Sequence, residues 1–133
     1  MSQSKQLFSN ITSAGQLEFS LRTVDRSAPK PHEVVVKIEA APINPSDMWP
    51  MFGPADLTSA SLSEDGSLLT APVHPAILSR LKSRLDMVLP VGNEGAGVVV
   101  EAGDSPAAKA LLGKTVGVLS GATYAEYCTV PVQ

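Results

Sequence analysis

Apolar and polar residues alternate at 17–21, where Glu18 and Ser20 separate Leu17, Phe19 and Leu21. A period of two is that of a strand with one buried face. A second strand is predicted at 34–40, Val-Val-Val-Lys-Ile-Glu-Ala, short and β-branched. Between them, Pro29 and Pro31 break the pattern, because proline cannot sit in a central ladder. Further strands are predicted at 98–101, 115–119 and 124–130. Residues 106–112 fit a helical turn with Ser105 as its cap. At 76–87 the spacing becomes helical: Ile77, Leu78, Leu81 and Leu85 share a face, with Arg80, Lys82 and Arg84 mostly elsewhere. This predicts a short amphipathic helix packed on the domain.

Two stretches lack either period. Residues 41–47 form a turn built on Pro42, Asn44 and Pro45, after which Ser46 or Asp47 is expected to cap a short helical turn through Met48 and Trp49. Residues 54–75 are rich in Ser, Thr, Ala, Asp, Gly and Pro, and predict a long surface excursion. No internal repeat is present. Six or seven short strands with little helix make a mainly β protein, a small barrel or sandwich with an inserted helix.

Composition narrows the function classes. The 133 residues suit one compact domain, and 44% hydrophobic content suffices for a core. A net charge of −3 is too mild for a nucleic-acid partner, which needs a concentrated basic surface. The single cysteine, Cys128, excludes an internal disulfide and a CxxC zinc pair. No segment has the length of a membrane span or the pattern of a signal peptide. A soluble, cytoplasmic protein is expected.

The glycines invite a cofactor reading and fail it. Gly92, Gly95 and Gly97 give the reverse of the spacing in G-x-G-x-x-G and precede a strand, so no helix N-terminus faces a pyrophosphate. Gly113-Lys114-Thr115 lacks the upstream glycine of a P-loop. Closely spaced glycines before a valine run also mark a bulge or a close backbone crossing.

Four segments change the weighting. They are the run 34–47 ending Asn44-Pro45-Ser46-Asp47, the run 90–103 containing Gly92-Asn93-Glu94-Gly95-Ala96-Gly97, then 113–119, then Thr123-Tyr124-Ala125-Glu126-Tyr127. In this order they resemble the N-terminal, GroES-like domain of the medium-chain dehydrogenase/reductase superfamily, and the N-P-x-D turn is most similar to its zinc-free quinone oxidoreductase and enoyl reductase branch. The resemblance implies a partly open GroES-like β barrel over 1–133, with an inserted loop and helix at about 54–88. It implies the substrate-side domain of an NADPH- or NADH-dependent oxidoreductase acting on small molecules: quinones, enones or related carbonyl compounds. Members of the family continue into a Rossmann domain that binds most of the cofactor. Here the sequence stops at Gln133, about where that continuation would begin, so little activity is expected of this chain alone.

The resemblance also selects residues. Where zinc-dependent members place a Cys and a His, this chain has Asn44 and Asn93, and carboxamides are poor zinc ligands. No metal is therefore expected. Asn44 is a candidate for donating a hydrogen bond to a substrate oxygen or to the nicotinamide ribose, so it is both a catalytic and a cofactor-binding candidate; a plain Asn-Pro turn is the alternative. Asp47 matches the family's turn aspartate, with helix capping as its other role. Trp49 and Met51, with Phe52, would wall a substrate cleft or pack in the core. Asn93 and Tyr124 are candidate substrate contacts, and Tyr124 too has core packing as its alternative. His32 and His74 are expected in exposed loops, and Cys128 as a small buried residue. Branch members often carry an Arg between the turn aspartate and the next glycine; 48–53 has none. The 54–88 excursion is a candidate lid or contact for another subunit, and homo-oligomers are expected if apolar surface is left open. A non-catalytic GroES-like binding or scaffold module is the rival reading.

Overall fold

Val34, Val35 and Val36 point alternately to both faces of their strand and all are buried. In the computed structural model, which describes residues 2–133, the chain divides into two units. One comprises Thr23–Ile43, Gly92–Gln133 and the start of the chain up to Gln6; the other comprises Leu7–Arg22 and Asn44–Val91. Strands β1 (Ser2–Ile11) and β2 (Gln16–Arg26) contribute to both.

The first unit holds a four-stranded antiparallel sheet of β3 (Glu33–Ala40), β7 (Glu94–Ala102), β8 (Thr115–Leu119) and β9 (Tyr127–Pro131), in the order β8-β7-β3-β9. Val34, Val36, Val99, Val118 and Cys128 form its core, closed by Ala108 of helix α3 (Pro106–Lys109). The Ser105 side chain caps α3 as expected, accepting from the Ala108 N–H at 3.2 Å. One correction concerns the glycine segment. It does not merely precede a strand: residues 94–97 lie inside β7. Gly97 passes so close to β3 that a Cβ there would overlap the Lys37 carbonyl, and the register slips beside it between Ile38 and Ala40. A close crossing with a bulge accounts for that glycine.

The second unit holds the sheet order β4-β5-β2-β1-β6, where β4 is Ser61–Leu62, β5 is Leu68–Pro72 and β6 is Leu89–Pro90. Its core is Ile11, Leu17, Ala71 and Val73, with Phe19, Phe52, Leu78, Leu81 and Leu85 packed against it. Three sequence expectations change here. Strand β1 adds an element with no hydrophobic period in the sequence, because its most buried positions include Ser4 and Ser9. The 54–75 stretch is not only a surface excursion: β5 pairs with β2 from Gln16↔Pro72 to Ser20↔Leu68. The 76–87 helix shrinks to α2, Pro75–Leu78. Beyond it the chain makes i→i−3 turns, Leu81 N–H to the Leu78 carbonyl at 3.0 Å and Arg84 N–H to the Leu81 carbonyl at 2.8 Å. Such turns keep Leu78, Leu81 and Leu85 on the core side without a continuous helix. Asp86, at φ 57, ends the segment; its N–H reaches the Ile11 carbonyl at 2.8 Å and its Oδ1 accepts from the Ser13 N–H at 3.0 Å.

Neither sheet closes into a barrel among the described residues. The protein is mainly β with a few short helices, as expected, built as two antiparallel sheets. No described helix is long and apolar enough to cross a membrane.

Candidate functional site

In the second unit the predicted residues gather on helix α1, Pro45–Phe52. The cap lies two or three residues before the expected Ser46 or Asp47. Asn44, extended at φ −104 and ψ 161, is the N-cap, and Asp47 is the third helical residue. Pro45 explains the shift: its locked φ and missing N–H suit the first helical position, so the cap falls just before it. Asp47 Oδ2 accepts the Asn44 N–H at 2.8 Å, while the Asp47 N–H reaches the Asn44 carbonyl at 2.9 Å. Asp47 is 1% exposed, so its carboxylate is committed to holding the turn. Asn44 is half-buried.

The aromatic and apolar candidates separate. Trp49 is 55% exposed and Met48 also lies open, which gives α1 an apolar outer face. Met51, by contrast, is buried and presents no open wall. Phe52 packs edge-on against Phe19, ring centres 5.1 Å apart, as core. Sequence reasoning missed Arg84. The 48–53 loop lacks the branch's Arg, yet Arg84 reaches α1 from the 54–88 segment, donating to the Trp49 and Pro50 carbonyls at 2.9 and 2.6 Å. No local motif marks a contact 35 residues away. Partial burial lowers its pKa from the ordinary arginine value.

In the first unit Asn93, half-buried, stands just before β7, and its carbonyl accepts the Ser120 N–H at 2.9 Å. Gly92, at φ +97, approaches the 123–124 backbone; a Cβ would lie 2.6 Å from Thr123 Oγ1 and from Tyr124 N. The neighbouring Thr123, fully buried, keeps its Oγ1 without a hydrogen-bond partner, a polar residue not singled out by the sequence. Tyr124 lies in a bend before β9, not inside the strand predicted for 124–130. Its hydroxyl donates to the Pro42 carbonyl at 2.7 Å, so that proton is already used inside the unit. The structure thus brings Gly92, Asn93, Thr123 and Tyr124 together. A pocket of about 260 Å³ in this unit is lined elsewhere, by Val34, Leu111, Val116, Val118 and Val130.

The donor chemistry does not suit zinc. Asn44 and Asn93 offer carboxamides, Asp47 is occupied at the cap, and thiolate and imidazole are missing from both segments. Cys128 is buried in β9, its thiol pushed up in pKa by burial. His32 is exposed in a turn, and exposed His74 caps α2 by accepting the Ala76 N–H at 3.2 Å. Among the described residues no three His, Cys, Asp or Glu side chains gather as a metal site. Nor does the glycine segment cradle a phosphate, since Gly92 and Gly97 are crowded by neighbouring backbone.

Comparison by sequence finds no matching family and no matching curated protein. Comparison by structure finds solved relatives of the fold. A candidate NADPH:quinone reductase of Mesorhizobium loti matches at TM-score 0.58 and 24% identity, over 99% of this chain and 35% of that one. The JamJ enoyl reductase matches at TM-score 0.57 and 21% identity, over 98% and 33%. The quinone oxidoreductase of Coxiella burnetii matches at TM-score 0.57 and 18% identity, over 98% and 35%. The chain therefore spans about a third of the length of each of these structures. At such identities the likeness is one of fold.

Proposed function

We propose that this chain is the substrate-side, GroES-like domain of a zinc-free NADPH- or NADH-dependent reductase acting on quinones, enones or related carbonyl compounds. The observation that carries the reading is a coincidence of two independent signals. The Asn44-Pro45-Ser46-Asp47 turn and the Asn93 segment stand in the order of that family's motifs, and nearly the whole chain shares its fold with quinone and enoyl reductases.

The bound nicotinamide would supply the hydride. The chain's own residues would bind and orient. Asp47 and Asn44 form a reciprocal capping box, and the Asn44 amide NH2 would donate to a substrate oxygen as negative charge develops there. Trp49 offers an exposed aromatic face to a flat substrate. Tyr124, its proton given to Pro42, would act by holding the 123–124 bend or by accepting. Asn93 would contribute a second carboxamide. NADPH consumption by the polypeptide as encoded, with any sequence that follows Gln133, tests this. Oxidation dependent on a naphthoquinone or an α,β-unsaturated ketone, and reduced roughly a hundredfold in Asn44→Ala, is expected. No consumption above background with either acceptor would overturn it.

A further inference from the structure

The end of α1 is the part of the candidate site least able to hold itself. Eight residues are too few for a stable isolated helix, and Pro50 removes one backbone hydrogen bond from within it. The last four carbonyls of a helix have no partners inside it, and the last turn of α1 carries no basic residue.

All four carbonyls are nevertheless satisfied. Trp49 O accepts from the Gly53 N–H at 2.8 Å and from Arg84 Nη1 at 2.9 Å. Pro50 O accepts from Arg84 Nη2 at 2.6 Å, Met51 O from Ser9 Oγ at 2.6 Å, and Phe52 O from the Ala55 N–H at 3.2 Å. Arg84 Nη2 also donates to Ser9 Oγ at 3.2 Å. One planar guanidinium therefore spans two carbonyls and a hydroxyl and sets its charge at the negative end of the helix. Gly53, at φ +53, leaves the room: a Cβ there would lie 2.9 Å from Ile11 Cδ1 and 3.3 Å from Arg84 Nη1.

We propose that Arg84 is a positioning residue for helix α1, clamping the backbone at Trp49 and Pro50 and thereby fixing the indole that would border the substrate. The substrate part rests on the reductase reading; the clamp does not. It also gives the 54–88 segment a task that a simple lid would not have.

Trp49 is the single tryptophan, so its fluorescence reports on the clamp directly. Time-resolved anisotropy of the 133-residue chain should show the fast, local component of Trp49 roughly doubled in amplitude in Arg84→Met. Arg84→Lys, which keeps the charge but loses the fork, should fall between, and it carries the test should Arg84→Met not fold. Leu85→Ala, which loosens the same segment, should lower the melting temperature and leave the anisotropy at the wild-type value. In the polypeptide as encoded, Arg84→Met should raise KM for a planar quinone roughly tenfold with kcat within about twofold. Unchanged anisotropy in the folded Arg84 variants overturns the clamp. So does a Leu85→Ala variant that matches Arg84→Met. Loss of all reductase activity in the wild type would instead overturn the functional reading, and the anisotropy would still decide the clamp.

Discussion

At Gly97 one absent methyl group sets how near two strands can run. A Cβ there would collide with the Lys37 carbonyl, whereas at Gly117 it meets nothing within 4 Å. Gly97→Ala should therefore cost more than about 3 kcal/mol, and Gly117→Ala less than about 1 kcal/mol, as read by urea denaturation. The buried Asp47 carboxylate accepts the Asn44 N–H. Asp47→Ala should lower stability by about 1–2 kcal/mol, because the capping bond is lost and the half-buried Asn44 N–H loses that partner. Burial raises the Cys128 pKa, with a smaller opposing effect from Ser120. A raised folded pKa means its contribution is complete below the ordinary thiol value of 9.0 and is lost as pH climbs past it toward the folded value. Native Cys128 should thus resist a thiol reagent at pH 8, reacting fully only in denaturant. Fast native labelling would show that β9 opens.

Among the elements, those with a clear hydrophobic period were legible and those stabilised by polar burial were not. The Val34 run and the alternation at 17–21 are visible because apolar side chains line one face. Strand β1 is hidden because Ser9 is buried, and the reason is tertiary: its hydroxyl donates to Met51 O and accepts from Arg84. The polar composition of 54–75 conceals β5, a strand whose Ala71 is 1% exposed. A chain with 54–88 replaced by a short linker should consequently lose cooperative unfolding and NMR dispersion. It would give up β5, and with it Ala71, Val73, Leu78 and Leu81 of the core. A well-folded deletion would show that the segment is an accessory.

On the scale of the whole molecule, the chain matches a third of each of the similar structures, and Gly92 and Gly97 are too crowded by neighbouring atoms to cradle a phosphate. Calorimetry of the 133-residue chain should give no measurable heat with NADPH. Tight binding would require a site that these glycines do not make. Zinc, with carboxamides where thiolate and imidazole would stand, should leave the melting temperature unchanged, as should EDTA. A chelator-sensitive transition would contradict the donor chemistry.

The chain's order of residues determined on its own the mainly β character and the α3 cap at Ser105. These are local properties, written in periods of two and in cap residues. Only the tertiary structure decided that Asn44 rather than Ser46 or Asp47 caps α1, that Met51 is buried while Trp49 is open, that the Tyr124 proton belongs to Pro42, and that Arg84 closes the helix. The Arg84 and Tyr124 contacts join residues 35 and 82 positions apart. A hydrogen bond across that separation depends on where the sheets carry the backbone, which no window along the chain contains.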